Sequence, residues 1–452
     1  MKRIIDHYLL DWKQYQFRKP LLLRGARQVG KTFAVRELGK TYESFVEINF
    51  ELSPRLRSIF EYDLKPQRII QALSIELGES IIPGKTLLFI DEIQTCPQAI
   101  IALRYFYEMM PDLHIIGAGS LLDFAIQQVG VPVGRVQFLY MYPLTFIEYL
   151  VAIKEPMIVQ EILTHDLTTE IYPSIHEKIL RLLSQYLALG GMPDVISKWI
   201  TTQNPLDCHI VHQSILQTYR QDFDKYARKQ QIKYVEKIFD TIPQQLGQKF
   251  KYSTIDGEYR KRELAPALDL LVTAYLANKV YYGSGQGFPI GFQADAFDYK
   301  IIPLDMGLNQ AQLGLNIAGW FSYPLQEFIN KGPLVEAFVG QEFIGYASPR
   351  QKSDLYYWHK DSAPQQAEID YLLPINEKIV PVEVKSGDGR TLKSMHYFLA
   401  THQHAPYGIR FSTNNYSQFD KIHSYPLYAI AHVISASNPE MKAAFASLFR
   451  TN

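Results

Sequence analysis

The stretch Gly25-Ala-Arg-Gln-Val-Gly30-Lys31-Thr32 restricts this chain more than any other. It matches G-x(4)-G-K-[ST] and stands between a short apolar run, Leu21-Leu22-Leu23, and a segment from Phe33 to Leu38 that reads as a helix. Strand, glycine-rich loop and helix, in that order, is the context in which this motif wraps phosphates. Gly25 and Gly30 let backbone N–H groups turn inward, and the helix N-terminus adds its partial positive charge. Lys31 is then placed to reach the β- and γ-phosphates of ATP, and Thr32 to ligate Mg²⁺. A short chance match in an ordinary strand-to-helix turn is the plainer alternative.

A second buried strand with an acid at its tip should follow, and "KTLLFIDEIQ" supplies one. Thr86 to Ile90 has the length and apolarity of a parallel strand covered on both faces. Asp91 would hold Mg²⁺ through water, and Glu92 would polarise the attacking water. A third apolar strand, "LHIIGAGSLLDF", ends in Gly117-Ala118-Gly119-Ser120.

The other end of the chain poses a different question. In "VPVEVKSG", Glu383 and Lys385 are two residues apart on a strand pattern, so they share one face. Upstream lies "AEIDYLLPINEKI", in which Pro374 and Asn376 mark a hairpin turn. Folding about Asn376 brings Asp370 within a residue or so of Glu383. Two carboxylates and a lysine then converge, an oxygen-rich set suited to Mg²⁺ or Mn²⁺. The lysine can orient a water and stabilise charge developing on a phosphate. An ordinary acid–base pair on an exposed strand is the plainer reading of the same residues.

Composition bears on what such a centre would meet. Lys plus Arg and Asp plus Glu both number 46, so the net charge of zero excludes a strongly basic coat but not a local basic patch. Arg260, Lys261 and Arg262 precede a helical pattern and offer phosphate contacts or a solvated turn. The two cysteines, Cys96 and Cys208, make neither a disulfide framework nor a zinc site and fit a reducing cytoplasm. No apolar run approaches the ~18 residues a membrane span requires.

Read together, these segments resemble a large bacterial and archaeal group of AAA-type ATP-binding proteins with a C-terminal nuclease-like domain. "GARQVGKT", "LLFIDEIQ", "GRVQFLYMYPLTFIEYL", "YLALGGMPDVI", "GPLVEAFVGQEFI", "AEIDYLL" and "VPVEVKSG" carry the resemblance, from about residue 18 to about 412. It implies an α/β multidomain protein. Residues 1–150 would be a P-loop ATPase with a parallel sheet, 151–228 a helical lid, 229–310 a winged-helix-like domain, and 311–452 a mixed α/β restriction-endonuclease-like domain. It makes Ser120 a candidate sensor beside the γ-phosphate, and Arg135 either a phosphate contact, in cis or from a neighbouring subunit, or a solvated arginine. Asp370, Glu383 and Lys385 resemble the D…E-x-K set of the endonuclease-like superfamily, which often adds an acid from the preceding helix. Lys331, Gly332 and Glu336 resemble a pattern of archaeal junction resolvases, so Glu336 is favoured as a metal ligand over Glu342. The implied partner is nucleic acid, DNA ahead of RNA, with homo-oligomers open. The competing reading is an ATP-driven binding switch whose nuclease-like domain is silent.

Overall fold

The computed structural model describes residues 1–130, 134–315, 317–361, 366–386 and 392–449. It divides into two compact units. The first comprises Met1–Tyr142, Thr273–Tyr275 and Ser348–Lys352; the second holds Pro143–Val272, Leu276–Ala347 and Ser353–Asn452.

The first unit is built on five strands: β1 (Leu21–Arg24), β2 (Ser44–Asn49), β3 (Thr86–Asp91), β4 (His114–Ala118) and β5 (Gln137–Tyr140). Their order is β2-β3-β4-β1-β5, and every pairing is parallel. Every residue of β3 and β4 is buried, as a parallel sheet covered on both faces requires. Leu22, Val46, Ile48, Leu88, Ile90 and Ile115 form part of the core. Because the strands run the same way, the loops after β1, β3 and β4 leave from one edge, where open α/β sheets bind ligands.

The second unit carries eight strands: β6 (Ala277–Gly283), β7 (Ala294–Pro303), β8 (Leu355–Lys360), β9 (Ala367–Ile375), β10 (Lys378–Lys385), β11 (Gly408–Ser412), β12 (Ser417–Phe419) and β13 (Ile422–Pro426). They form one mixed sheet in the order β12-β13-β11-β10-β9-β8-β6-β7. β9 and β10 join through Asn376 and Glu377, with φ of 49° and 61°. Two left-handed residues make the tight turn whose twist matches a hairpin, so the turn expected at Asn376 is present. The resulting register pairs Tyr371 with Val382. Continued by one residue, it sets Asp370 opposite Glu383.

Two expectations about organisation change. The helices Pro156–Thr164, Pro173–Leu189, Pro193–Thr202 and Pro205–Tyr226, read as a lid of the ATPase, belong to the second unit, as does Phe146–Ala152, most of which fell within the expected ATPase domain. β6 and β7 do form an antiparallel pair, but β6 also pairs in parallel with β8. A boundary at residue 310 therefore cuts through a single sheet, and the hairpin is not the wing of a separate domain. The apolar run from Tyr425 to Ile434 is strand only to Pro426 and is helical from Ile430. A continuous apolar run does not by itself tell a buried strand from a buried helix. Among the described residues, no helix is long and apolar enough to cross a membrane.

Glu342, the alternative helical acid, serves packing within the second unit. Its carboxylate accepts from Phe146 N at 3.1 and 3.2 Å, at the first turn of the helix Phe146–Ala152, and from the Tyr186 hydroxyl at 3.3 Å. A negative group at a helix N-terminus is favourable. Burial nonetheless raises this carboxyl from 4.5 to about 8. The folded protein therefore holds a proton that the unfolded chain releases above about pH 4.5, so this residue's contribution to stability falls as pH rises toward 8 and is level above it. We expect Glu342→Gln to gain stability relative to the parent across that interval, by unfolding measured from pH 5 to 9. A difference that stays constant with pH would contradict the assignment.

Candidate functional site

β1 delivers the chain directly into the phosphate loop. Gly25 has φ of +137°, and a Cβ there would stand 2.1 Å from the Met141 carbonyl oxygen, so only glycine fits. The helix Lys31–Gly39 starts at Gly30, itself at φ 100°. Lys31 Nζ donates to the carbonyls of Gly25 at 2.9 Å and Ala26 at 2.7 Å, folding the ammonium over the loop it belongs to. Burial lowers its pKa to about 8, although the charges of Glu92 and Asp91 work in the opposite direction.

The acidic strand end meets the loop. Thr32 Oγ1 donates to Asp91 Oδ2 at 3.2 Å. Asn49 Nδ2, at the end of β2, donates to the same oxygen at 3.2 Å, and Glu92 N holds the other oxygen at 3.1 Å. Burial raises the pKa of both Asp91 and Glu92. Glu92 has φ of +50°, and Gln94 Nε2 donates to its Oε2 at 2.5 Å. Gln94 is accommodated by Gly119, where a Cβ would lie 1.7 Å from Gln94 Oε1. Ser120 follows, buried just beyond the end of β4. A threonine hydroxyl beside a carboxylate is a hard oxygen pair of the kind Mg²⁺ prefers, so the residues fit that ion. Sequence reasoning missed Asn49 and Gln94. Gln94 stood inside the motif "DEIQ", whereas Asn49 carried no local signal.

Arg135 does not approach these groups. Its Nε donates to Glu108 Oε1 at 3.0 Å, an exposed ion pair shared with Arg104.

The second candidate site lies on β9 and β10. Asp370 Oδ2 accepts from Val384 N at 2.7 Å, which ties the two strands together beyond the Tyr371–Val382 pair. Lys385 Nζ contacts Glu383 Oε1 at 2.5 Å, confirming that the two share a face. Glu383 is buried, and its Oε2 has no hydrogen-bond partner among the described residues. Burial raises the pKa of Asp370 and Glu383 alike, against the pull of nearby lysines. Gly387, the end of the sequence motif, lies outside the described residues.

Glu336 departs from expectation. It sits in the helix Gly332–Gly345, and its charge and that of Asp370 act on each other. Its Oε1, however, is held by Lys300 Nζ at 2.8 Å. The same ammonium contacts Glu368 Oε1. Among the described residues no group of three acids, histidines or cysteines is placed to hold a metal ion. Glu336, Asp370 and Glu383 therefore do not close into one metal site, because a lysine takes up the first of them. Lys300 stood unmarked in "FDYKIIPLDMGL", with its partners far away in sequence. Arg260, Lys261 and Arg262 are exposed at the start of the helix Lys261–Thr273.

Residues 17–150 match the family model of an AAA domain. The first unit is an AAA-type ATP-binding domain. Residues 180–318 and 331–430 match two domains of unknown function, DUF8612 and DUF4143. No curated protein matches the chain. Solved structures similar to it include C. elegans PCH-2, with a TM-score of 0.26 and 14% identity over 44% of this chain and 62% of that one. The S. cerevisiae Hsp104-ADP complex aligns with a TM-score of 0.28 and 12% identity over 75% of this chain and 44% of that one. The chain thus spans less than two thirds of the length of either.

The state of Lys31 gives the AAA domain a testable pH response. With its pKa near 8 in the free protein, ATP binding above that pH must draw a proton onto the Lys31 amine. Affinity should then fall by about tenfold per pH unit at higher pH. Calorimetric titration of ATP from pH 7 to 9.5 should show this fall in the parent and a flat, weak response in Lys31→Met. A flat response in the parent would contradict it.

Proposed function

We propose that ATP, bound and hydrolysed in the AAA domain, controls a metal-dependent centre on β9 and β10 that cleaves phosphodiester bonds in nucleic acid, DNA ahead of RNA. One observation carries the second half of this reading: the Glu383 Oε2 oxygen, buried without a hydrogen-bond partner among the described residues beside Asp370 and Lys385. An uncompensated buried carboxylate oxygen is costly, and a cation is the partner that removes the cost.

In the AAA domain, Lys31 would exchange its loop carbonyls for phosphate oxygens, and Thr32 and Asp91 would hold Mg²⁺. Glu92, held by Gln94, is the group placed to take a proton from water. In the second unit, Asp370 and Glu383 would hold Mg²⁺ or Mn²⁺. That ion would supply a Lewis acid for the phosphoryl oxygen. Lys385 would orient the attacking water and balance the charge that grows on the phosphate. The exposed run Arg260-Lys261-Arg262 offers contacts to the nucleic-acid backbone.

A second reading is favoured by Lys300. With Glu336 and Glu368 held by an ammonium, the unit would bind partners under ATP control without cleaving them.

The two readings separate in one assay. Linear and branched DNA and RNA are incubated with Mg²⁺ or Mn²⁺, with and without ATP, using the parent, Lys31→Ala and Lys385→Ala. We expect metal-dependent cleavage that drops by about 10²-fold or more in Lys385→Ala and loses its ATP response in Lys31→Ala. Absence of cleavage by the parent under every condition would remove the nuclease reading and leave the binding switch.

A further inference from the structure

Lys300 is 3% exposed, and a buried ammonium on the edge strand β7 is uncommon enough to require a reason. Its backbone cannot move aside. β7 pairs at this residue with Val280 of β6, and the outer edge is closed by a bridge to Lys249. The side chain runs past the Tyr357 ring, with Nζ 5.1 Å from its centroid. It ends 2.8 Å from Glu336 Oε1, in contact with Glu368 Oε1, and near enough to Asp370 for the two charges to act on each other.

The acids are carried on ordered backbone, although the Glu368 side chain is 46% exposed. Glu368 and Asp370 are two apart on β9 and share a face. The Tyr371 hydroxyl donates to the Glu336 carbonyl at 2.8 Å, which anchors the helix to β9. A Cβ on Gly247 would lie 3.2 Å from Glu336 Oε2, so that side of the carboxylate is closely packed. Carboxylates gathered in this way attract a cation, and a lysine ammonium is a compact one with three donors. A divalent ion needs six or more oxygens around it, and the ammonium occupies the place where Glu336 and Glu368 could contribute them.

We propose that Lys300 is the built-in cation of this cluster: it satisfies Glu336 and Glu368 and keeps divalent metal off them, leaving Asp370 and Glu383 as the carboxylates open to an ion. Lys300 is thus a positioning residue that sets how many metal ions the second unit accepts. This deepens the reading of the β9–β10 centre, yet its test gives a separate answer.

The measurement is the number of Mn²⁺ ions bound per full-length chain, by electron paramagnetic resonance without nucleotide. The parent is compared with Lys300→Met, Lys300→Arg and Glu336→Gln, each checked for folding by circular dichroism. Lys300→Met should bind about one Mn²⁺ more than the parent, and Lys300→Arg no more than the parent. Glu336→Gln should leave the parental number unchanged, because its carboxylate is already taken; this arm decides the matter if Lys300→Met does not fold. A folded Lys300→Met with no gain, or a loss of one ion in Glu336→Gln, would overturn the proposal. A parent that binds no Mn²⁺ at Asp370 and Glu383 while Lys300→Met gains one would uphold Lys300 and remove the metal-dependent nuclease reading.

Discussion

Taking an ammonium group out of water costs several kcal/mol unless charges or dipoles replace the lost hydration. This chain does so at Lys31 and again at Lys300, 8% and 3% exposed. The two environments solve the problem in opposite ways. Around Lys31 burial outweighs the neighbouring acids, and the pKa falls to about 8. Two backbone carbonyls are its hydrogen-bond partners, and neither is charged. Such a lysine has more to gain from a phosphate than it loses. Around Lys300 the carboxylates of Glu336, Asp370 and Glu368 outweigh burial, and the pKa rises. That lysine is already neutralised. One buried lysine has uncharged partners, and the other is matched by carboxylates.

The rest of each unit supports these charges. In the first, the parallel order β2-β3-β4-β1-β5 brings the ends of β1 and β3 to one edge, so that Thr32 and Asp91 meet although 59 residues separate them. In the second, the hairpin turn at Asn376 and Glu377 sets the register that puts Asp370 beside the backbone of β10. A slip of one residue would turn Asp370 to the opposite face. β7 must also belong to this sheet for Lys300 to reach the acids.

Legibility in the sequence followed distance along the chain. The phosphate loop was readable because all its parts lie within eight residues and their spacing is set by the turn itself. The hairpin was readable because turn chemistry at Asn376 and strand alternation agreed. Glu336 against Glu342 was decided by what surrounds each: Lys300 meets one, and the start of the helix at Phe146 meets the other. Neither neighbour is local in sequence. The same cause hid Lys300, whose contacts lie 36 and 68 residues away. The membership of β6 and β7 in the larger sheet was equally invisible, since an antiparallel pair looks the same whether it stands alone or borders six further strands. The family models divide the chain near these places, but the sheet does not.

The central claim is that nucleotide state reaches the β9–β10 centre. The backbone amide of Val384, which donates to Asp370, is a direct reporter of that centre. Hydrogen exchange at this amide should be measured in Glu92→Gln, which should retain ATP, with and without ATP–Mg²⁺, and in Lys31→Ala as the control. The account predicts that ATP changes the exchange rate by about tenfold, or ~1.4 kcal/mol of local opening, and that Lys31→Ala abolishes the change. Identical exchange with and without ATP, in a protein shown to bind it, would contradict the account.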